Sequence, residues 1–259
     1  MDTAQKNFSK LVEWFFQSDD TAVAFSGGTK SALLVCAAQE AYGKNALILT
    51  ANTAFFTKEE LYRVHEVLDD YKIRDARATI YLLNNEAICA NGENRCELCR
   101  TAIWSELYQV AHNMGAEALC AGSVAEEQNN ACVMKETLIK FGIRSPFWEL
   151  GFTRGDICDM LNAVGRGYYI RPQHQCLARQ IAPEEEITAE KLDRIEEAEK
   201  YLRGIAGEQC KVFLTQGRFT VFLNKEMGKA QQNQILKRFH DLDAEDVCFI
   251  TKPPYDDDK

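Results

Sequence analysis

The stretch NRCELCR sets Cys96 and Cys99 three positions apart. That spacing lets two thiolates meet one metal ion or cluster, or close on each other as a disulfide. There is no second C-x-x-C and no histidine pair at finger spacing, so a tetrahedral zinc site here needs distant ligands. Cys176, in HQCLARQ, is a candidate third thiolate, and His174 beside it reads as a surface residue. Three thiolates leave one iron of a four-iron cluster, or one position on zinc, open to an incoming atom such as sulfide. The plainer alternative stays open: a simple zinc or redox pair at Cys96 and Cys99, with Cys176 unrelated to it.

A second constellation is AFSGGTKSALL, in which Ser26, Gly27, Gly28 and Ser31 stand where an apolar strand turns into a helix. A glycine turn there lets backbone N–H groups approach phosphate, and the helix N-terminus supplies positive potential. The spacing is neither G-x-x-x-x-G-K-[ST] nor G-x-G-x-x-G, and turn chemistry alone allows a purely structural turn equally well.

The elements that must position these groups alternate between strand and helix. TAVAFSGG, NALILTAN, ATIYLLN and EALCAG read as strands. KSALLVCAAQEAYG, TKEELYRVHEVLDDYKI with Thr57 as N-cap, CRTAIWSELYQVAHNMG from about Thr101, and TRGDICDMLNAVG read as helices. This order predicts an α/β fold, a parallel sheet with helices on both faces, over residues 1–182. Residues 183–259 read as a small α+β domain: the helix TAEKLDRIEEAEKYLRGIAG, two strands joined at Gln216-Gly217, the helix KAQQNQILKRFHDL and the strand DVCFIT. The tail KPPYDDDK reads as a frayed or appended end.

With 259 residues, 46% of them hydrophobic, the chain can bury a large core. The net charge of −9 argues against a general grip on nucleic acid while leaving room for a local anion pocket. The N-terminal MDTAQKNFSKLVEWFFQSDD is amphipathic and broken by charge, fitting neither a signal peptide nor a membrane span, so a cytoplasmic protein is expected. In a reducing compartment Cys36, Cys89, Cys120, Cys132, Cys158, Cys210 and Cys248 read as small core residues.

Taken together and in order, AFSGGTKSALL, LTANTAFFTKEEL, NRCELCRTAIWSEL, IRSPFWELGFTRGDI, QCLARQ and ITAEKLDRIEEAEKYLR resemble the ATP-dependent sacrificial sulfur transferases, the LarE family of the pyrophosphatase-loop (PP-loop) superfamily. The resemblance covers most of residues 20–205 and implies the adenine nucleotide alpha hydrolase-like fold. It implies adenylation of a substrate carboxylate by ATP with Mg2+, then sulfur insertion at the activated carbonyl, as in nickel-pincer cofactor (pyridinium thiocarboxylate) biosynthesis. On this resemblance Ser26, Gly27, Gly28 and Ser31 hold phosphate and Asn52 lies near the nucleotide. Cys176 is the sulfur-handling catalytic residue: some members give up the sulfur of the cysteine at this position and are left with dehydroalanine, while others hold a 4Fe-4S cluster, here on Cys96, Cys99 and Cys176, whose free iron delivers sulfide, and the presence of all three thiols favours the second version. The partners implied are a small carboxylate, a sulfide or other sulfur donor, and further copies of the chain. Glu199, in EAEKYLR, is a metal or substrate ligand on this view and a solvated helix face on the plain one.

The chain departs from the family pattern at several places. Lys30 stands where the loop normally has an acid, and Glu126 and Glu127 stand where relatives tend to have two aspartates. CLARQIAPE replaces the usual CLASRIPYG, which moves Arg179 one place early and puts Gln180 at the arginine position. Lys30 cannot ligate magnesium, so a non-catalytic relative that binds nucleotide or cluster as a carrier or sensor is the alternative expectation.

Overall fold

The computed structural model describes residues 2–18, 20–124, 135–172, 175–207, 210–223 and 226–251. Glu126, Glu127, Cys132, His174 and the tail from residue 252 lie outside the described residues. In chain order the elements are α1 (Thr3–Phe16), β1 (Thr21–Ala24), α2 (Thr29–Tyr42), β2 (Leu47–Asn52), α3 (Lys58–Tyr71) and β3 (Arg74–Thr79). They continue as α4 (Glu86–Cys89), α5 (Arg95–Asn113), β4 (Ala118–Cys120), α6 (Lys135–Lys140), α7 (Pro146–Leu150) and α8 (Arg154–Ala163). The chain then forms α9 (Ala189–Ala206), β5 (Lys211–Thr215), β6 (Arg218–Phe222), α10 (Lys229–His240) and β7 (Asp246–Ile250). No helix among the described residues is long and apolar enough to cross a membrane.

Two compact units arise, and their segments alternate along the chain. The first comprises residues 1–53, 58–80 and 97–173; the second comprises 54–57, 81–96 and 174–259. The first unit holds a four-stranded sheet in the order β3-β2-β1-β4, parallel throughout. Residues of both parities are buried along β1 and β2, as a sheet covered on both faces requires. Val23, Phe25, Ile48 and Cys120 join one core with Leu11 and Phe15 of α1, Leu33 and Leu34 of α2, Val64 and Val67 of α3, and Ile157 and Leu161 of α8. Thr153 caps α8 in a capping box with Asp156, fixing where that helix starts.

The third strand departs from its sequence reading. The apolar run at 78–84 suggests a strand there, whereas β3 is the charged stretch Arg74–Thr79 and Leu82–Asn84 forms a 3-10 turn. β3 is an edge strand, and of its residues only Ala78 is buried, so apolar alternation does not mark it.

The second unit carries the sheet β5-β6-β7. Gln216 (φ 47°) and Gly217 (φ 77°) make the left-handed turn between antiparallel β5 and β6. α10 then crosses over to β7, which pairs with β6 in parallel. Thr188 caps α9 by accepting from the Lys191 N–H, and Ile195, Leu202, Val212, Val221 and Ile235 are fully buried in this unit. The four-stranded parallel sheet flanked by helices gives an α/β, adenine nucleotide alpha hydrolase-like fold, with a small C-terminal sheet in addition.

Candidate functional site

In the first unit the chain runs β1 to β2 to β3 on one side and then places β4 on the other side of β1. The carboxyl ends of β1 and β4 therefore flank a topological switch point, where open α/β sheets bind ligands. Residues 26–28 leave β1 at this point and enter α2, whose N-cap is Gly28. Gly27 has φ 76°, and a Cβ there would stand 3.0 Å from the Glu60 carbonyl oxygen and 3.3 Å from Val64 Cγ2. Both the backbone conformation and the close approach of α3 therefore demand glycine. A Cβ on Gly28 would meet only Ser26 Oγ at 3.5 Å, so the loop is open on that side.

Two hydroxyls brace the turn. Ser31 Oγ donates to the Gly28 carbonyl (3.1 Å) and accepts from the Ser26 N–H (3.3 Å), and it lies 3.2 Å from Ser26 Oγ. Ser31 is buried while Ser26 is exposed at the mouth. Thr29 ties the first turn of α2 to residues 169–171: its hydroxyl oxygen accepts from the Arg171 N–H at 2.9 Å and lies 3.2 Å from the Arg171 carbonyl. Sequence reasoning missed Gly122, just past β4. A Cβ at 122 would lie 3.1 Å from both Lys30 Cβ and the Ser31 nitrogen, so the chain leaving β4 grazes the first turn of α2. The signal was present in LCAG, a small residue directly after a buried strand. Asn52 stands half-buried at the carboxyl end of β2, where its carbonyl accepts from the Ile80 N–H at 2.9 Å.

These residues fit an oligophosphate: an open glycine turn, a helix N-terminus, two hydroxyls and a lysine. They do not by themselves supply the carboxylates a magnesium ion prefers. Glu126 and Glu127, which stand where relatives tend to have two aspartates, lie outside the described residues.

The thiols are placed differently from their sequence reading. Helix α5 begins at Arg95 and not near Thr101, because the run RCELCR contains no breaker and the Arg95 N–H already bonds the Gly92 carbonyl at 3.0 Å. Cys96 and Cys99 thus sit within the opening turns of α5, at i and i+3 on adjacent positions of its surface. Cys176, in the second unit, precedes the short 3-10 turn Leu177–Gln180 as its N-cap. Among the described residues, no group of three or more His, Cys, Asp and Glu side chains is gathered to hold a metal ion. Cys96 and Cys176 belong to the second unit and Cys99 to the first.

Within the second unit, residues 91–96 are fastened to residues 176–185. Buried Asn91 (φ 56°) donates through Nδ2 to the carbonyls of Ala182 (2.8 Å), Glu185 (3.1 Å) and Ile181 (3.4 Å). Arg95 donates through Nη1 to the Ala178 carbonyl at 2.6 Å and through Nη2 to Cys96 Sγ at 3.2 Å. Leu177 N–H bonds the Phe55 carbonyl at 3.0 Å. Burial pushes the Cys176 thiol above its ordinary pKa, against the opposing charge of Arg95. Neither Asn91 nor Arg95 was singled out from sequence; the one available hint was an arginine immediately before the cysteine pair.

Glu199 is not on a solvated face. It is 5% exposed, accepts from the Val212 N–H at 3.2 Å, and has Arg203 at 3.9 Å. The Gln180 amide, oriented with its nitrogen toward acceptors, donates to Glu199 Oε1 and to the Val212 carbonyl, each at 2.6 Å. Position 180 thus serves the interior of the second unit. Among the remaining cysteines, Cys36, Cys120 and Cys210 are buried, and burial raises the Cys36 thiol to about 11. Cys248 is exposed on edge strand β7, so its core reading is corrected.

No family model matches the chain. It is similar to an uncharacterized protein of Synechocystis sp., 27% identical over 208 residues, which span 80% of this chain and 78% of that protein. It is also similar to pyridinium-3,5-bisthiocarboxylic acid mononucleotide synthase of Lactiplantibacillus plantarum, 23% identical over 191 residues that span 73% of this chain and 69% of the synthase. A third similarity, 30% identity over 122 residues, is to a component of the glutamine-hydrolyzing GMP synthase of Thermoplasma volcanium, covering 46% of this chain and 39% of that component.

Proposed function

We propose that this chain is an ATP-dependent sulfur transferase of the PP-loop kind, which adenylates a small-molecule carboxylate and delivers sulfur to the activated carbonyl. The observation that carries the reading is the braced glycine turn at the β1/β4 switch point, with the shape an oligophosphate needs. Similarity to the bisthiocarboxylic acid mononucleotide synthase supports a carboxylate acceptor and a sulfur product. A carboxylate is a poor electrophile. Attack of its oxygen on the α-phosphorus of ATP expels pyrophosphate and leaves an acyl adenylate, from which AMP departs when the Cys176 thiolate attacks to form a thioester; loss of the Cys176 Cα proton to a base with cleavage of its Cβ–Sγ bond then releases the thiocarboxylate and leaves dehydroalanine at 176.

Ser26, Gly27, Gly28 and Ser31 hold the phosphates in this scheme, Asn52 lies on the nucleotide side, and Cys176 is the sulfur nucleophile. Lys30 offsets charge on the phosphates where an acid would have recruited magnesium. The test is pyrophosphate release on addition of ATP and a pyridinium dicarboxylate mononucleotide, with sulfur incorporation followed by mass spectrometry. Carboxylate-dependent release is expected in wild type, and its absence rejects the reading.

Lys30 favours a second reading, a nucleotide-binding relative that does not cleave ATP. Comparison of wild type with Lys30→Asp separates the two. Turnover confined to the aspartate variant assigns the natural chain to the carrier or sensor class.

A further inference from the structure

Arg95 is the first residue of α5, and its guanidinium is engaged on two sides. Nη1 reaches the Ala178 carbonyl at 2.6 Å, in the middle of the turn that Cys176 opens, and Nη2 reaches Cys96 Sγ at 3.2 Å. The planar fork of an arginine makes two such bonds in one fixed geometry, which a lysine cannot reproduce. Four residues earlier, Asn91 grips the carbonyls of residues 181, 182 and 185, and the Glu184 N–H returns a bond to the Asn91 carbonyl at 3.1 Å. Residues 176–185 thus form a strap whose far end is fixed by Asn91 and whose thiol-bearing end is fixed by Arg95. Both of these anchors and both of these cysteines belong to the second unit.

We propose that Arg95 is a positioning residue for Cys176: its fork between the Ala178 carbonyl and the Cys96 thiol holds the 176–180 turn against the start of α5 and keeps the two sulfurs within reach of each other. Burial raises the Cys176 thiol and the nearby charge of Arg95 opposes that rise, consistent with the guanidinium standing beside the 176–180 turn. The functional weight of the proposal rests on the reading of Cys176 as the sulfur-handling residue, but the geometry is testable without turnover.

The experiment uses the full chain, reduced and treated with chelator, with a short bifunctional methanethiosulfonate and peptide mapping of the links formed. Wild type is expected to give a Cys96–Cys176 link alongside the intrahelical Cys96–Cys99 link, which serves as the internal standard. In Arg95→Gln the 96–176 yield relative to 96–99 is expected to fall about fivefold, in line with loss of a charge-assisted hydrogen bond. Arg95→Lys, which keeps the charge and one bond, is expected to recover at least half of the wild-type ratio. Equal ratios in wild type and Arg95→Gln overturn the proposal. A parallel fall of both links also overturns it, because fraying of the helix would then be the cause. If linking behaves as expected while sulfur transfer is absent, the functional reading fails and the positioning role stands.

Discussion

The glycine cradle and the cysteine strap are built by opposite means. The cradle is local: residues 26–31 fold on themselves, braced by two serine hydroxyls, with the strand end and helix start already adjacent in sequence. The strap is assembled from residues more than 80 positions apart, and its shape depends on two side chains, Asn91 and Arg95, reaching across to backbone carbonyls. A site made of backbone tolerates changes in side chain and forbids changes in backbone geometry. A site made of long side chains has the reverse sensitivity. Gly27 illustrates the first case, since its φ of 76° and the approach of α3 exclude a Cβ there.

The sharpest way to separate the two regions is Cys176→Ser. Sulfur incorporation is expected to fall by at least about 100-fold, because a hydroxyl is a far weaker nucleophile at neutral pH, while carboxylate-dependent pyrophosphate release continues. Loss of both together would mean that the cradle and the thiol are not separable functions.

Next in size is Asn91→Ala, which removes the grip on residues 181–185 and leaves a non-glycine residue at φ 56° without its amide. A cost of about 3 kcal/mol in urea unfolding is expected, and Asn91→Gly, which relieves the backbone, recovers about 1 kcal/mol of it. Full recovery in the glycine variant would show that the amide contributes nothing. For the cradle, Gly27→Ala places a Cβ 3.0 Å from a carbonyl oxygen in a left-handed residue. A destabilisation of about 2 kcal/mol is expected, together with loss of nucleotide binding by calorimetry.

Alkylation of Cys176 in metal-free protein should rise with pH along a curve displaced above the ordinary thiol value near 8.5, because burial disfavours its thiolate. A curve displaced downward would mean that the charge of Arg95 outweighs desolvation at this thiol.

The smallest effect concerns Asp70, which accepts from Tyr169 (2.6 Å) and Tyr168 (3.0 Å) and thereby pins the segment that meets Thr29. Those bonds and Arg166 hold its carboxyl below the usual range. The folded pKa lies below the unfolded one, so the stabilisation is present at neutral pH and is lost as pH falls through the folded value. Wild type and Asp70→Asn should therefore differ slightly in Tm at neutral pH and converge in strong acid. A difference that grows on acidification has the wrong sign.

How much was legible in the sequence follows the same division. The strand and helix alternation of the α/β unit, the glycine turn at the end of β1 and the Gln216-Gly217 turn are marked by residues close in sequence, and local pattern carries them. β3 escaped because an edge strand exposes most of its side chains. The early start of α5 was hidden by the cysteine motif, which drew attention to ligand spacing and away from helix propensity. Asn91, Arg95 and buried Glu199 were not legible, because their roles are fixed by carbonyls and amides whose positions only the folded second unit determines.

The close passage of Gly122 beside Lys30 and Ser31 leaves room for a single hydrogen atom between the β4 exit and α2. Even a methyl group there must pry the β4 exit from the first turn of α2, whatever the ligand. The separation of the β4 exit from α2 is therefore set by backbone, and a side chain at 122 moves the two apart by a few tenths of an ångström.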